Sequence, residues 1–257
     1  LSRSLGDRLR EPRVLLALGR LERLSGRLAR AEEHVLAGQA LAARERMKRE
    51  VIIADEYLGD ILLARGELDK ALLNYELGLE KTRPLGRASD VEGELLRRRA
   101  EVRRRAGDLP EAVADAHAAV AVCEECGEVY ELGFCHLTLG QAYAGEGDWS
   151  LADTHFRQAV EIFQSQNLLR EWCDAVCIFQ EMRLPTADQP MLLLLRRLLL
   201  DVQERAAAAV GDETLAACLT GLAHVQLRLG LCDDALLTVF ELERVARGLE
   251  DPRRLEE

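Results

Sequence analysis

The feature that most restricts this chain is an interval. Gly26, Gly66, Gly107 and Gly147 stand 40, 41 and 40 residues apart, and Gly230 follows 83 residues later, about two further periods. A common arrangement surrounds each of them, clearest at Leu139-Gly140-Gln141-Ala142-Tyr143-Ala144-Gly145-Glu146-Gly147-Asp148 followed by Ala152, Phe156 and Ala159. Gly140, Ala152 and Ala159 are small enough for two helices to approach closely, while Leu139, Tyr143 and Phe156 fill the space between them. Glycine suits the end of the first helix because the chain leaves it through a left-handed conformation that costs other residues more. Acidic residues then open the next helix, Asp108 before Leu109-Pro110-Glu111 and Asp148 before Trp149. One such hairpin is marginal alone, so the recurrence implies a stack in which each unit covers its neighbour.

The period divides a single repeat domain, residues 1–257, into hairpins at about 12–49, 50–83, 88–126, 128–166, 168–210 and 212–248. The first carries Leu18-Gly19, Gly26, Ala31, Val35 and Gly38, and the second Leu58-Gly59, Leu62, Gly66, Ala71, Tyr75 and Gly78. The third is weaker, with Ala100, Gly107, Ala112, Ala116 and Ala119; the sixth shows Leu222-Ala223, Gly230, Ala235, Val239 and Leu242. The fifth is irregular, its two helices joined by Leu184-Pro185-Thr186-Ala187-Asp188-Gln189-Pro190 rather than by a tight glycine turn. Ala, Leu, Glu and Arg dominate, aromatics are 4% and only 6 prolines occur, the composition of an all-α protein.

The Leu-Gly pair, the Tyr or Leu three residues after that glycine, the turn glycine and the small, aromatic, small series resemble the tetratricopeptide repeat family. The resemblance covers nearly the whole chain and is best at 58–78 and 139–159, while Glu22, Arg103 and Gln226 stand where the pattern prefers a large residue. A period above the common value of about 34 resembles the longer-helix variant of bacterial signalling and transcription regulators and of kinesin light chains. The resemblance implies a right-handed superhelical solenoid of about six antiparallel helix hairpins. It also implies a concave face, lined by the first helix of each hairpin, that holds an extended peptide or a partner helix.

On that implication the groove residues are Arg13, Arg20 and Arg23 in the first hairpin, Glu56 and Asp60 in the second, and Arg97, Glu101, Arg104 and Arg105 in the third. Gln141 in the fourth and His224 in the sixth complete the set. Arg97, Glu101, Arg104 and Arg105 fall three and four apart and share a helix face. With Arg98, Arg99 and Arg103 they concentrate six arginines in nine residues, an anion site suited to carboxylates or phosphates. The competing reading is a solvated face paired with Glu94 and Glu101, each pair worth roughly 0.2 to 1 kcal/mol. Separately, Met191 to Leu195 with Leu198 to Leu200 is apolar nearly all round. Either neighbouring hairpins cover both sides, or Leu193 and Leu199, edged by Arg196 and Arg197, form a patch for self-association or for a partner domain.

A formal net charge of -11 argues against general nucleic-acid or anionic-membrane binding. Seven cysteines scattered along helices suit a reducing cytoplasm rather than a disulfide framework. The apolar run near Met191 is interrupted by Arg196-Arg197 and is too short to span a bilayer. The start at Leu1, with no initiator Met, reads as a piece of a longer protein. Cys123, Cys126, Cys135 and His136 offer a zinc-like set, but Ala116, Ala119, Val120 and Cys123 fall at core spacing, where a free cysteine acts as a small hydrophobe. Cys173 and Cys177 read the same way. No nucleophile, base and acid converge, and Gly145-Glu146-Gly147-Asp148 lacks the Lys-Ser/Thr of a phosphate loop.

The expected function is therefore a non-enzymatic protein- or peptide-binding scaffold or regulatory module, without cofactor or metal, within a larger bacterial signalling or transcription-control protein. Its partner is expected to carry an acidic segment. A small-ligand or signalling-peptide sensor and an oligomerisation arm forming a homo-oligomer are the alternatives.

Overall fold

A computed structural model describes residues 5–83, 89–206 and 211–249. Among them the chain is helical throughout, without strands: α1 (Leu5–Leu24), α2 (Leu28–Arg44), α3 (Lys48–Ala64), α4 (Leu68–Thr82), α5 (Asp90–Ala106), α6 (Leu109–Cys126), α7 (Val129–Glu146), α8 (Trp149–Ser165), α9 (Leu169–Arg183), α10 (Gln189–Ala206), α11 (Asp212–Arg228) and α12 (Cys232–Leu249). The five glycines of the interval all adopt positive φ, from +74° to +86°. A second set of left-handed turns closes other helices at Arg46, Gly127 and Asn167, a series the glycine count misses because two of its members are not glycine. The chain divides into two compact units, Leu1–Ala152 and Asp153–Glu257.

In the first unit α1 packs on α2, α3 on α4 and α5 on α6, and the first helices α1, α3, α5 and α7 also pack on one another in succession. Close approach depends on small residues. A Cβ at Gly59 would lie 2.4 Å from Cε1 of Tyr75, whose ring is fully buried. Ala31, Ala71, Ala112 and Ala116 are likewise fully buried in the second helices. Helix α1 begins at Leu5, earlier than the boundary at Pro12 expected from sequence. Pro12 is buried inside the helix, and its carbonyl oxygen would lie 3.2 Å from a Cβ at Gly38, so this turn is held by packing despite the missing N–H. Asp108 precedes α6 as expected but makes no side-chain cap, its place being taken by a proline in the first turn; Asp148 does cap α8, accepting from Leu151 N at 3.1 Å.

The second unit has an apolar interior. Trp172, Phe163, Phe179, Leu195, Leu199 and Leu219 are fully buried, and Phe156 stacks on Phe179 with centroids 4.9 Å apart. The connection between α9 and α10 contains a 3-10 turn, Leu184–Thr186, and ends at Asp188, which caps α10 by accepting from Met191 N at 3.0 Å. Arg228 of α11 replaces the absent glycine turn as an anchor, donating to the carbonyls of Leu184 and, at 3.0 Å, Ala187. Burial of Leu199 removes it from the candidate self-association patch; on the same helix Leu193 is 53% exposed, Arg197 is exposed and Arg196 pairs with Asp234 at 3.0 Å. Gln226, where a large residue was expected, is buried and accepts from the Thr238 hydroxyl at 2.8 Å.

Candidate functional site: a charged groove on the first helices

The first helices of four successive hairpins enclose a cavity of about 540 Å³ in the first unit. Helix α1 contributes Arg20, Arg23 and Leu24, α3 contributes Arg49, Ile53, Glu56 and Tyr57, α5 contributes Val91, Glu94, Arg97 and Arg98, and α7 contributes Tyr130, Glu131 and Phe134. The groups recur three and four apart along each helix, as side chains on one face must. Burial of Leu95 and Ala100 turns the opposite side of α5 into the core and so aims Glu94, Arg97 and Arg98 at the cavity.

Charge is arranged here as a network. The Arg98 guanidinium lies 3.3 Å from Oδ2 of Asp60 and 3.6 Å from Oε1 of Glu56, both carboxylates being nearly inaccessible to solvent. Arg23 approaches the same Asp60 oxygen at 3.5 Å, and the Tyr75 hydroxyl donates to Oδ1 of Asp60 at 2.8 Å. Burial raises the Tyr75 phenol above its ordinary range, and the Asp60 charge adds to it. Arg97 donates to Glu131 and lies over the Phe134 ring, 5.4 Å from its centroid; Phe134 meets Tyr130 edge-on at 5.2 Å. For Arg98, burial alone would favour the neutral guanidine, but Asp60 and Glu56 outweigh it and hold the group firmly protonated.

Two groups in this network are not settled by it. Burial raises the Glu56 carboxyl well above the glutamate range; Arg98 opposes that shift, and Glu94 and Asp60 reinforce it. Glu94, half-buried, is raised first by burial and then by Glu131, and its carboxyl lies within hydrogen-bond reach of Glu56. Oε2 of Glu56, Oδ2 of Asp60 and Nε of Arg98 are buried without a hydrogen-bond partner, a state that normally costs roughly 1 to 3 kcal/mol per group.

Of the residues singled out from sequence, the structure brings Arg20, Arg23, Glu56 and Arg97 together at the cavity, with Asp60 behind them. The others lie elsewhere. Arg13 is exposed and pairs with Glu50 at 2.7 Å. Glu101 accepts from Arg104 and Arg105 at 2.9 and 2.5 Å, Gln141 is half-buried on α7 away from the lining, and His224 is exposed on α11 of the second unit. The run of six arginines is not a free anionic trap: Arg99 grips Asp115 with two donors at 2.7 and 2.6 Å, Arg103 reaches Asp115 at 2.9 Å, and the remaining four are paired as described. Sequence reading missed Tyr57, Tyr130, Glu131 and Phe134, and named Arg98 only within the arginine run and Glu94 only as a surface partner of it. Their spacing along each helix was visible, but the register that turns them inward was not.

The buried thiols of Cys123 and Cys135 touch at 3.9 Å between α6 and α7. Among the described residues no group of three or more His, Cys, Asp and Glu is placed to hold a metal ion, and no helix is long and apolar enough to cross a membrane.

Comparison with known proteins agrees with this architecture. Residues 92–165 match the tetratricopeptide repeat family model. No curated protein matches the chain. Among solved structures, BtubC from P. vanneervenii is similar with a TM-score of 0.71 at 16% identity, over 89% of this chain and 92% of that one. A STAND signal-transduction ATPase with a tetratricopeptide repeat sensor, from Pyrococcus horikoshii, gives 0.70 at 14% identity over 92% of this chain, which spans only 36% of it. NprR in complex with its cognate peptide NprX gives 0.56 at 11% identity, over 92% of this chain and 67% of that one. Residues 92–165 are thus similar to tetratricopeptide repeats, and the chain that carries them shares an all-α helical-repeat fold with these solved structures.

Proposed function

We propose that the cavity on α1, α3, α5 and α7 captures an extended peptide or a partner's segment, and that the chain is a non-enzymatic recognition module. The observation that carries this reading is the pairing of a cavity of about 540 Å³ with cavity-lining residues, Glu56 and Arg98, that keep buried polar atoms without partners. Five lining arginines against three glutamates favour an acidic segment; Arg20 is exposed, Arg23 is half-buried toward Asp60, and the exposed Arg49 pairs with Asp90. Tyr130 and Phe134 add an aromatic wall for its apolar side chains. The peptide held by NprR supports the reading by analogy of fold. Regulation within a larger cytoplasmic bacterial signalling or transcription-control protein is the context we assign to it.

The test is selection from a randomised peptide library, followed by titration of the recovered peptide against wild-type protein, an Arg20→Glu/Arg23→Glu variant and an Arg104→Glu variant of matched helicity. Loss of affinity of about tenfold or more in the double variant, with the Arg104→Glu protein close to wild type, is expected for two charge-assisted contacts. Equal loss in both, or in neither, overturns the site.

A further inference from the structure

Arginines are in excess over the whole cavity lining, but around Arg97 and Arg98 on its floor, with Asp60 behind, carboxyls outnumber guanidiniums. Four carboxyls, Glu56, Asp60, Glu94 and Glu131, meet two guanidiniums from α5, Arg97 and Arg98, and α1 sends only Arg23 as far as Asp60. Helix α4 adds the neutral Tyr75 hydroxyl, and Arg20 lies toward the Tyr57 hydroxyl rather than a carboxylate. Glu131 accepts from Arg97 and Asp60 from the Tyr75 hydroxyl, while Oδ2 of Asp60, also without a hydrogen-bond donor, faces Arg98 and Arg23 at 3.3 and 3.5 Å. Glu56 is left with Arg98 at 3.6 Å and one oxygen without a donor, and Glu94 stands within hydrogen-bond reach of it. Two carboxyls so placed repel when both are ionised and are joined by a single proton when one is not.

Their surroundings differ in a way that couples them to ligand. Glu56 is 2% exposed, whereas Glu94 is half-buried and lines the cavity, through which water can reach it. Whatever fills the cavity strips that water away, and an anionic filling adds repulsion; both effects favour the protonated pair.

We propose that occupation of the groove is proton-linked: an acidic segment entering it is accompanied by uptake of a proton on the Glu56/Glu94 carboxyl pair, so the groove fills more readily as pH falls. This rests on the cavity being a capture site. By reciprocity of linkage, protonation of the pair strengthens capture as much as capture promotes protonation. A segment placing a cation on the same floor would act in reverse, displacing the proton, so the direction of proton transfer reports the charge of what sits there. Burial already holds both carboxyls above the ordinary glutamate range, which brings the exchange toward neutral pH.

The experiment uses the acidic peptide recovered from the library selection and isothermal titration in two buffers of different ionisation enthalpy, repeated across a pH series. Uptake approaching one proton per peptide, and affinity that rises by up to about tenfold for each unit fall in pH, are expected. In Glu56→Gln, and independently in Glu94→Gln should the first fold poorly, the slope with pH should vanish from whatever binding persists. Binding without proton exchange, or with release, overturns the linkage and leaves the capture site standing. Failure to recover any peptide sensitive to Arg20 and Arg23 overturns the capture site and the linkage together.

Discussion

The two units are built from the same helical hairpins and both bury apolar cores, but they differ in the polar side chains buried among them. In the first, Glu50, Asp55, Glu56, Asp60, Asp115 and Glu131 are buried, held by arginines and lysines from neighbouring helices. In the second, the buried polar groups among the described residues are the neutral Gln180, Gln226 and Thr238, set among Trp172, Phe179, Leu195 and Leu199. Hairpin geometry does not require either choice. Burying charges gains little net stability, because desolvation offsets most of the attraction, whereas apolar burial is favourable throughout. The difference teaches that the first unit retains a charged interior where its first helices face a cavity, and the second is packed for stability.

The contrast can be broken by exchanging what each unit buries. Asp60→Ala leaves Arg98 with only the distant Glu56 and leaves the Tyr75 hydroxyl without an acceptor, and should cost about 3 to 5 kcal/mol in denaturant unfolding. Replacing Asp60 and Arg98 together by apolar residues of similar volume should recover most of that loss; a double variant as weak as the single one would mean that the ion pair is a net stabiliser. Leu199→Ala, with no charge involved, should cost about 3 kcal/mol through lost burial and the cavity left behind. A change of a few tenths would show that α10 is not the packed interior described.

The third prediction concerns pH. Because burial raises the Glu56 carboxyl in the folded state, its stabilising protonation is fully present below the ordinary value of 4.5 and is lost as pH rises through the folded value. Relative to wild type, Glu56→Gln should therefore gain stability as pH rises above that range, read as the difference between the two melting temperatures; a difference that shrinks or stays flat would remove Glu56 as a buried titrating group. The smallest effect belongs to the helix surface. Arg105→Ala loses an exposed pair with Glu101 and should change stability by roughly 0.2 to 1 kcal/mol, less at high salt. A larger effect would show that the arginine run beyond the cavity is part of the first unit's buried network.

Much of the fold was legible because its signals are local. The glycine interval marks left-handed turns that few other residues adopt comfortably, and it located five of them. It missed Arg46 and Asn167, which take the same conformation without the glycine that would advertise it. The site was half legible. Arg20, Arg23, Glu56 and Arg97 lie within one helix of a turn glycine, at 6, 3, 10 and 10 residues before it, but the cavity drifts along the helices: Arg23 lies three residues before Gly26, and Glu131 sixteen before Gly147. One offset applied to every repeat therefore points at Gln141 rather than at Tyr130 and Phe134.

By itself the sequence determined the helices, their pairing into hairpins and the presence of many arginines on the first helices, since spacing and turn chemistry act between residues close in the chain. Only the tertiary structure decided which carboxylate each arginine meets and which two carboxyls are left to share a proton. Those choices are made through space, by distance and desolvation, between residues such as Asp60 and Arg98 that lie a full repeat apart.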